Sequence, residues 1–310
     1  MQERPSPAPA TRRPNLRHRM EYLAYRMAVG ALRFAPERAA LLFGEGLGWV
    51  LGVCFRVRWR TVNEHLRMAF PEKEAAWHRA VARASFRHLG RESVATFRLG
   101  RMDVGEVRKR TEVVGFDAML EASAEGKGLI VVTGHMGNWE IGGASIAAHG
   151  IPVDVVAQRQ RNPLFDADLV ANRTRLGMTV IERGEAPKKV LRSLREGRAV
   201  GIVGDQNVRH GGVFVEFFGR PAATARGAAL FALRTGSPIF IGMAKRMPGF
   251  PQRYRVTFER LDFEPGGEMD QDVLRLTEAH TRCLESRVRE APEQYFWQHR
   301  RWKTRPPVEG

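Results

Sequence analysis

The feature that most constrains this chain lies between residues 111 and 261, where short apolar runs alternate with stretches at helical spacing. The runs "TEVVGF", "GLIVVTG", "PVDVVAQ", "MTVIER" and "AVGIVGD" are short and rich in β-branched residues; "GLIVVTG" in particular is continuously apolar, the mark of a strand covered on both faces. Between them "DAMLEASAEG", Trp139 to Ala148, "NPLFDADLVANRTRLG" and "APKKVLRSLREG" read as helices. Beyond a Gly-rich turn follow a strand "VFVEFFG", a helix over Ala225 to Thr235, strands "PIFIGMAKR" and "YRVTFERLDF", and a helix from about Asp270 to Arg289. This alternation predicts an α/β fold, a mostly parallel central sheet flanked by helices. Ligands of such sheets gather beyond the carboxyl ends of the strands.

The N-terminal region has a different character. Residues 1 to 19 are rich in Pro and Arg, lack the apolar core and cleavage site of a secretory signal, and read as a disordered basic tail. From 20 to 60 the chain is helical and largely apolar. Its longest stretch without a basic residue, "AALLFGEGLGWVLGVCF", falls short of the roughly 20 residues of a spanning helix and contains Glu45. A monotopic or short tilted membrane anchor fits, with Arg33 and Arg38 before it, Arg56, Arg58 and Arg60 after it, and Trp49 and Trp59 available to the interface. An amphipathic hairpin packed on the domain has the same periodicity. Residues 61 to 310 form the main domain. It opens with a helix, a break at Pro71 and a longer helix whose expected buried stripe is Ala76, Ala80, Ala84, Phe86 and Leu89, with Arg79, Arg83 and Arg87 on the charged side.

Apolar content of 43% and charged content of 27% belong to a folded chain. Fifty Lys and Arg against 34 Asp and Glu leave a formal charge of +16, which calls for an anionic partner: nucleic acid, an anionic membrane or acidic small molecules. No recognisable nucleic-acid motif is present, so that partner is not expected. Cys54 and Cys283 have no metal-ligand spacing and form no disulfide framework, in keeping with a reducing compartment.

His135 and Glu140 carry the first chemical signal. His135 lies just past the strand ending at Thr133, in a turn with Gly134 and Gly137, and Asn138 is placed to cap the next helix. Glu140 falls in the first helical turn, so the bend between them is expected to return its carboxylate toward the imidazole. A histidine oriented by a carboxylate is a general base for a hydroxyl, and free amides of the turn are expected to hold a developing oxyanion. There is no HExxH motif or third clustered ligand, so no metal is expected, and no G-x-S-x-G elbow for a hydrolase serine. A second group follows the strand "AVGIVG": Asp205 and Gln206, then a basic loop with Arg209 and His210. Thr224 is expected to cap the next helix with Arg226 in its first turn, an arrangement suited to a phosphate.

With these residues in view, "VNEHLRMAFPE", "GHMGNWE", "GDQ", "VEFFGRPAATARGAALFA" and "APEQYFWQHRRWKTRPP" resemble, in order and approximate spacing, the late acyltransferases of lipid A biosynthesis, within the lysophospholipid acyltransferase superfamily. The resemblance covers about residues 20 to 307, and the terminal block is its most specific piece. It implies transfer of a fatty acyl chain from acyl carrier protein to a hydroxyl of a membrane lipid, a lipid A precursor, at the cytoplasmic face of the bacterial inner membrane. No cofactor is implied, since the acyl thioester is itself the donor substrate. His135 matches the family's catalytic histidine and Glu140 its acidic partner; Asn138 and Asp205 fall on its motif positions. Where the family commonly has Arg-Pro shortly before Asn-Pro, this chain reads "AQRQRNP", leaving Gln158, Arg159 and Arg161 as candidates for the substrate-binding position. Arg159, Arg161, Gln206, Arg209, Thr224 and Arg226 complete the expected substrate contacts. A lysophospholipid or a phosphatidylinositol mannoside is the alternative acceptor, and a basic membrane-surface module or nucleic-acid binder the non-enzymatic alternative.

Overall fold

The computed structural model describes residues 14–307; the expected tail therefore lies, over residues 1–13, outside the described residues. Its last part is helical. Asn15 accepts a hydrogen bond from the His18 amide and starts α1 (Leu16–Phe34), a few residues ahead of the expected boundary. Next come α2 (Glu37–Trp49), a π-helical turn Val50–Cys54, α3 (Trp59–Ala69), α4 (Ala75–Leu99) and α5 (Val104–Arg110).

Glycine decides how α2 docks. A Cβ on Gly48 would stand 2.1 Å from the Phe86 carbonyl oxygen of α4, so these helices cross at backbone contact distance. That side of α2 is packed on the domain, while Leu42, Phe43 and Leu47 remain exposed on the other. No single helix among the described residues is long and apolar enough to cross a membrane. Glu37–Cys54 and Trp59–Ala69 meet that test only as a pair, bent by 89°. On α4 the charged stripe of Arg79, Arg83 and Arg87 is exposed as expected, but so are Ala76 and Ala80. Phe86 is buried as expected, beside Ala82, but the rest of that face runs through His78, Ser85, His88, Arg91 and Glu92, polar groups that hydropathy patterning does not count as core.

The sheet is built from β1 (Thr111–Val114), β2 (Leu129–Thr133), β3 (Val153–Ala157), β4 (Met178–Glu182) and β5 (Ala199–Val203), then β8 (Ile239–Arg246) and β9 (Tyr254–Leu261). Between them β6 (Gly212–Phe217) and β7 (Arg220–Ala225) pair as a separate antiparallel hairpin. The order is β1-β9-β8-β2-β5-β3-β4, and every pairing is parallel except β8 with β9. The connecting helices are α6 (Phe116–Ala124), α7 (Trp139–Ala148), α8 (Pro163–Arg175), α9 (Ala186–Arg195) and α10 (Gly227–Thr235), with α11 (Met269–Glu290) after β9. Central β2 shows why the sheet is buried on both sides: Ile130 and Val132 join one core with residues of α9, α10 and α11, while Leu129 and Val131 join another with residues of α6 and α7. The mixed α/β architecture with a mostly parallel sheet agrees with the expectation. Strand β7 does not: "RPAATA" carries no strong β signal of its own and is held in place by pairing with β6.

Candidate active site

His135 follows the carboxyl end of β2, where the chain turns into α7. The turn requires glycine at 137, whose φ is +59°, and where a Cβ would stand 1.9 Å from the Ala244 carbonyl oxygen of β8. Asn138 caps α7, its side-chain oxygen accepting from the Ile141 amide at 3.2 Å. The amides of residues 135 to 138 are committed within the protein. His135 N–H donates to Asp205 Oδ2 at 2.8 Å, Met136 to the Gly134 carbonyl, Gly137 to the Gln294 carbonyl and Asn138 to the Ala244 carbonyl. They are not the free oxyanion donors expected from the sequence, because the turn is stitched to β5, β8 and the C-terminal strap.

The imidazole is oriented by Asp205, at the end of β5. His135 Nδ1 lies 2.6 Å from Asp205 Oδ1, so one carboxylate grips both the ring and the backbone of the same residue. Asp205 is buried and the His135 side chain retains 19% of its exposure, so the ring alone meets incoming molecules. Burial pulls the His135 pKa down, but the charge and hydrogen bond of Asp205, with a smaller contribution from Glu140, outweigh it and leave the value raised. Burial likewise opposes the Asp205 charge, and His135, with Arg301 further off, more than offsets it, leaving the carboxyl below its usual range. Donation from Nδ1–H leaves the Nε2 lone pair free, and the Gln206 side-chain amide lies 3.2 Å from it.

Glu140 is not turned to the imidazole. Its carboxylate takes both forks of Arg173 on α8, at 2.5 and 2.9 Å, a pair of which only 13% and 18% is exposed. The helix start does favour its charge, yet the long Arg173 side chain reaches it first.

The other expected contacts divide. Asn138 is buried, with its amide nitrogen given to Glu92 at 3.0 Å and near the Tyr254 hydroxyl and Thr96. Arg159 pairs with Glu182 at the end of β4, and Arg161 is exposed; neither lines a cavity beside His135. Arg209 is exposed on the loop after β5. Thr224 is not a helix cap but a buried residue of β7, because the hairpin runs on to Ala225; the cap position of α10 is Arg226, which pairs with Asp270 at 3.7 Å.

Sequence reasoning did not place the C-terminal strap behind His135. Residues 291–304 run as a strap across it: the Phe296 amide donates to the His135 carbonyl at 2.9 Å, and Asn207 exchanges hydrogen bonds with Thr304 while its amide donates to His299 Nε2. Arg301 is buried, donating to the Ala223 carbonyl at 2.9 Å and to Thr224 Oγ1 at 2.5 Å. With His280 it lines a small cavity behind Asp205. Burial, then the Asp205 charge, push the Tyr295 phenol well above its ordinary pKa. Trp297 is fully buried and Trp302 half-buried, so both tryptophans dock the strap.

Two cavities flank Trp139. One of about 180 Å³ is lined by His135, Leu89, Phe97, Trp139 and Phe296. The other, of about 80 Å³, is a mostly apolar slot between α7 and the sheet, with Glu140 and Arg173 on its wall. Of the two, the 180 Å³ cavity is the one with His135 on its wall, in reach of a bound acyl chain's carbonyl.

The model of the family described as bacterial lipid A biosynthesis acyltransferase matches residues 10–304. The chain belongs to that family. It is therefore an acyltransferase, and its relatives are spread along nearly its whole length. It is 26% identical to the lipid A biosynthesis palmitoleoyltransferase of Escherichia coli over 278 residues, covering 89% of this chain and 88% of that protein. To the lauroyltransferase of the same organism it is 25% identical over 282 residues, 87% of each chain. A shorter match, 28% over 162 residues, is to the phosphatidylinositol mannoside acyltransferase of Mycolicibacterium smegmatis, covering 51% of this chain and 53% of that one.

Proposed function

We propose that this acyltransferase moves a fatty acyl chain from acyl carrier protein to a hydroxyl of a lipid A precursor at the cytoplasmic face of the inner membrane, with His135 as general base. The observation that carries the reading is the 2.6 Å contact of His135 Nδ1 with buried Asp205, which leaves Nε2 as a base at the wall of an apolar cavity. As the acceptor oxygen attacks the thioester carbonyl, Nε2 takes its proton and Asp205 stabilises the imidazolium. The tetrahedral intermediate then collapses: the carbon–sulfur bond breaks, the new ester remains, and the departing thiolate takes the proton from Nε2. No serine nucleophile and no bound cofactor enters. The Gln206 amide, 3.2 Å from Nε2, is the nearest side-chain donor to the developing oxyanion, and it must shift from the ring to admit the acceptor.

Membrane association is supported by α1, where Leu16, Met20, Leu23, Met27 and Phe34 repeat at helical spacing and are all exposed. Leu42, Phe43 and Leu47 on α2 are exposed as well. An acidic carrier protein and a phosphorylated acceptor both suit a chain of net charge +16. A phosphatidylinositol mannoside-type glycolipid is the second acceptor reading, favoured by the match to the mycobacterial enzyme.

The test is a mass-spectrometric assay of detergent-purified protein with acyl-acyl carrier protein and a panel of acceptors, alongside His135→Ala. One added acyl mass on a tetra-acylated lipid A precursor, lost in the variant, is the expected result. Transfer to a mannoside alone replaces the acceptor, and full activity in His135→Ala refutes the mechanism.

A further inference from the structure

The segment after the π-helical turn reads Phe55-Arg56-Val57-Arg58-Trp59-Arg60, and its backbone is unusual. Arg56 and Arg58 both adopt left-handed conformations, at φ 53° and 60°, which non-glycine residues rarely take. These two residues lie at the right-angle bend, 89°, between the α2 segment and α3. They also put three arginines on one basin of about 630 Å³, which Arg300 closes from the strap. Trp59 and Thr61 complete the lining.

Four arginines therefore line one open basin. None of the four has a carboxylate partner or a side-chain hydrogen bond among the described residues, although most arginines of the chain have one or the other. Like charges gathered without a counter-ion repel one another, and an anion relieves that repulsion while taking several forked hydrogen bonds. The alternating side chains say which anion. Phe55 and Val57 are 72% and 51% exposed, and they continue the exposed apolar side of α2 through Leu47 and Leu51. Apolar groups interleaved with arginines match the boundary between acyl chains and phosphates.

We propose that the basin of Arg56, Arg58, Arg60 and Arg300 binds the phosphate of an anionic phospholipid headgroup, with Phe55 and Val57 inserted beside it. The inference rests on the membrane-associated reading above and adds a lipid class and a site to it. It also gives Arg300 a task separate from Arg301: the strap that backs Asp205 presents its next residue to the bilayer. Docking on an anionic leaflet would thus fix the strap against the surface from which the acceptor arrives.

Flotation of the full-length protein with vesicles tests this, since it needs no turnover. Vesicles of phosphatidylcholine alone are compared with vesicles that also contain phosphatidylglycerol. The expected result is stronger binding to the second kind, reduced at least tenfold when Arg56, Arg58, Arg60 and Arg300 are all changed to Gln, at roughly fivefold per arginine near an anionic surface. Arg300→Gln alone, on an exposed position, lowers it several-fold and guards against misfolding of the quadruple variant. A control removes four charges from α9 (Lys188, Lys189, Arg192 and Arg195 to Gln) and keeps wild-type binding. Equal binding to both vesicle types, or an equal loss in the α9 control, overturns the basin while leaving the membrane reading intact. Flotation with neither kind overturns both. Displacement from anionic vesicles by millimolar inorganic phosphate at constant ionic strength would reassign the basin to a free phosphate and overturn the headgroup proposal.

Discussion

Asp205→Asn is the substitution that separates the two carboxylates near His135. In the native site Asp205 Oδ1 receives the Nδ1–H and Oδ2 the His135 amide, at 2.6 and 2.8 Å. An asparagine of the same shape has one acceptor oxygen. The backbone N–H can only donate, so it keeps that oxygen, and the NH2 group is turned to Nδ1. Nδ1 must then accept, the proton moves to Nε2, and the base is lost through the wrong tautomer. In serine proteases the equivalent change costs about 10⁴ in turnover, or about 5 kcal/mol of barrier. We expect a fall of about 10³ to 10⁴ in kcat here, with KM little changed and fold retained.

The pH profile adds a second readout. His135 must be neutral to act, so wild-type kcat/KM should rise with pH through a pKa above the ordinary 6.5, the direction in which Asp205 moves it. With the carboxylate gone, burial is opposed only by the smaller effect of Glu140, and the residual activity should show its limb shifted below that value. Stability follows the same pair. The contribution of His135 is present below its unfolded pKa and is lost as pH rises through its raised folded value. That of Asp205 is present above its unfolded pKa and is lost as pH falls through its depressed one. Glu140→Gln should behave differently. It leaves Arg173 buried without its partner, at about 3 to 5 kcal/mol of stability, while kcat at permissive temperature falls less than tenfold. The double variant Glu140→Gln, Arg173→Gln should recover part of the stability. Activity surviving in Asp205→Asn but abolished in a folded Glu140→Gln would refute this assignment.

Other outcomes follow from the same geometry. Gln206→Ala should lower kcat by about 10² with a modest change in KM, as for removal of one oxyanion donor, and steady-state kinetics would show a near-wild-type kcat if the amide only packs on the ring. Gly137→Ala combines a left-handed backbone with a Cβ 1.9 Å from a carbonyl oxygen, so chemical denaturation should reveal a loss of at least about 2 kcal/mol or failure to fold. Burial depresses His88 to about 3 and His280 to about 4. The unfolded chain therefore binds protons first as pH falls, and by about pH 5 each site should have cost about 2 kcal/mol. His280→Leu should flatten the fall in unfolding free energy between about pH 6.5 and 4.

How far the sequence could be read depended on whether the deciding partner was local. The β2 strand, its turn and the α7 cap are set by neighbours in sequence, so "GLIVVTGHMGNWE" located the turn and His135. The orienting carboxylate is not local: Asp205 lies 70 positions away, and only the pairing of β2 with β5, Thr133 beside Val203, brings both strand ends together. Glu140 was the nearer candidate along the chain, but Arg173 enters from α8 and takes its carboxylate. Both strand ends were recognisable as places for chemistry; their adjacency was not, because parallel order is fixed by long crossovers rather than by local pattern. The same reasoning accounts for α4. Its buried Arg91 and Glu92 look like surface residues until Asn138 from one distant segment and Gln252 and Tyr254 from another arrive to bond them. Glu92, where burial outweighs its hydrogen bonds and leaves the pKa raised, is thereby tied to the cap that starts α7. A core polar network of this kind fixes where the helix begins, and so where the His135 turn must sit over β2.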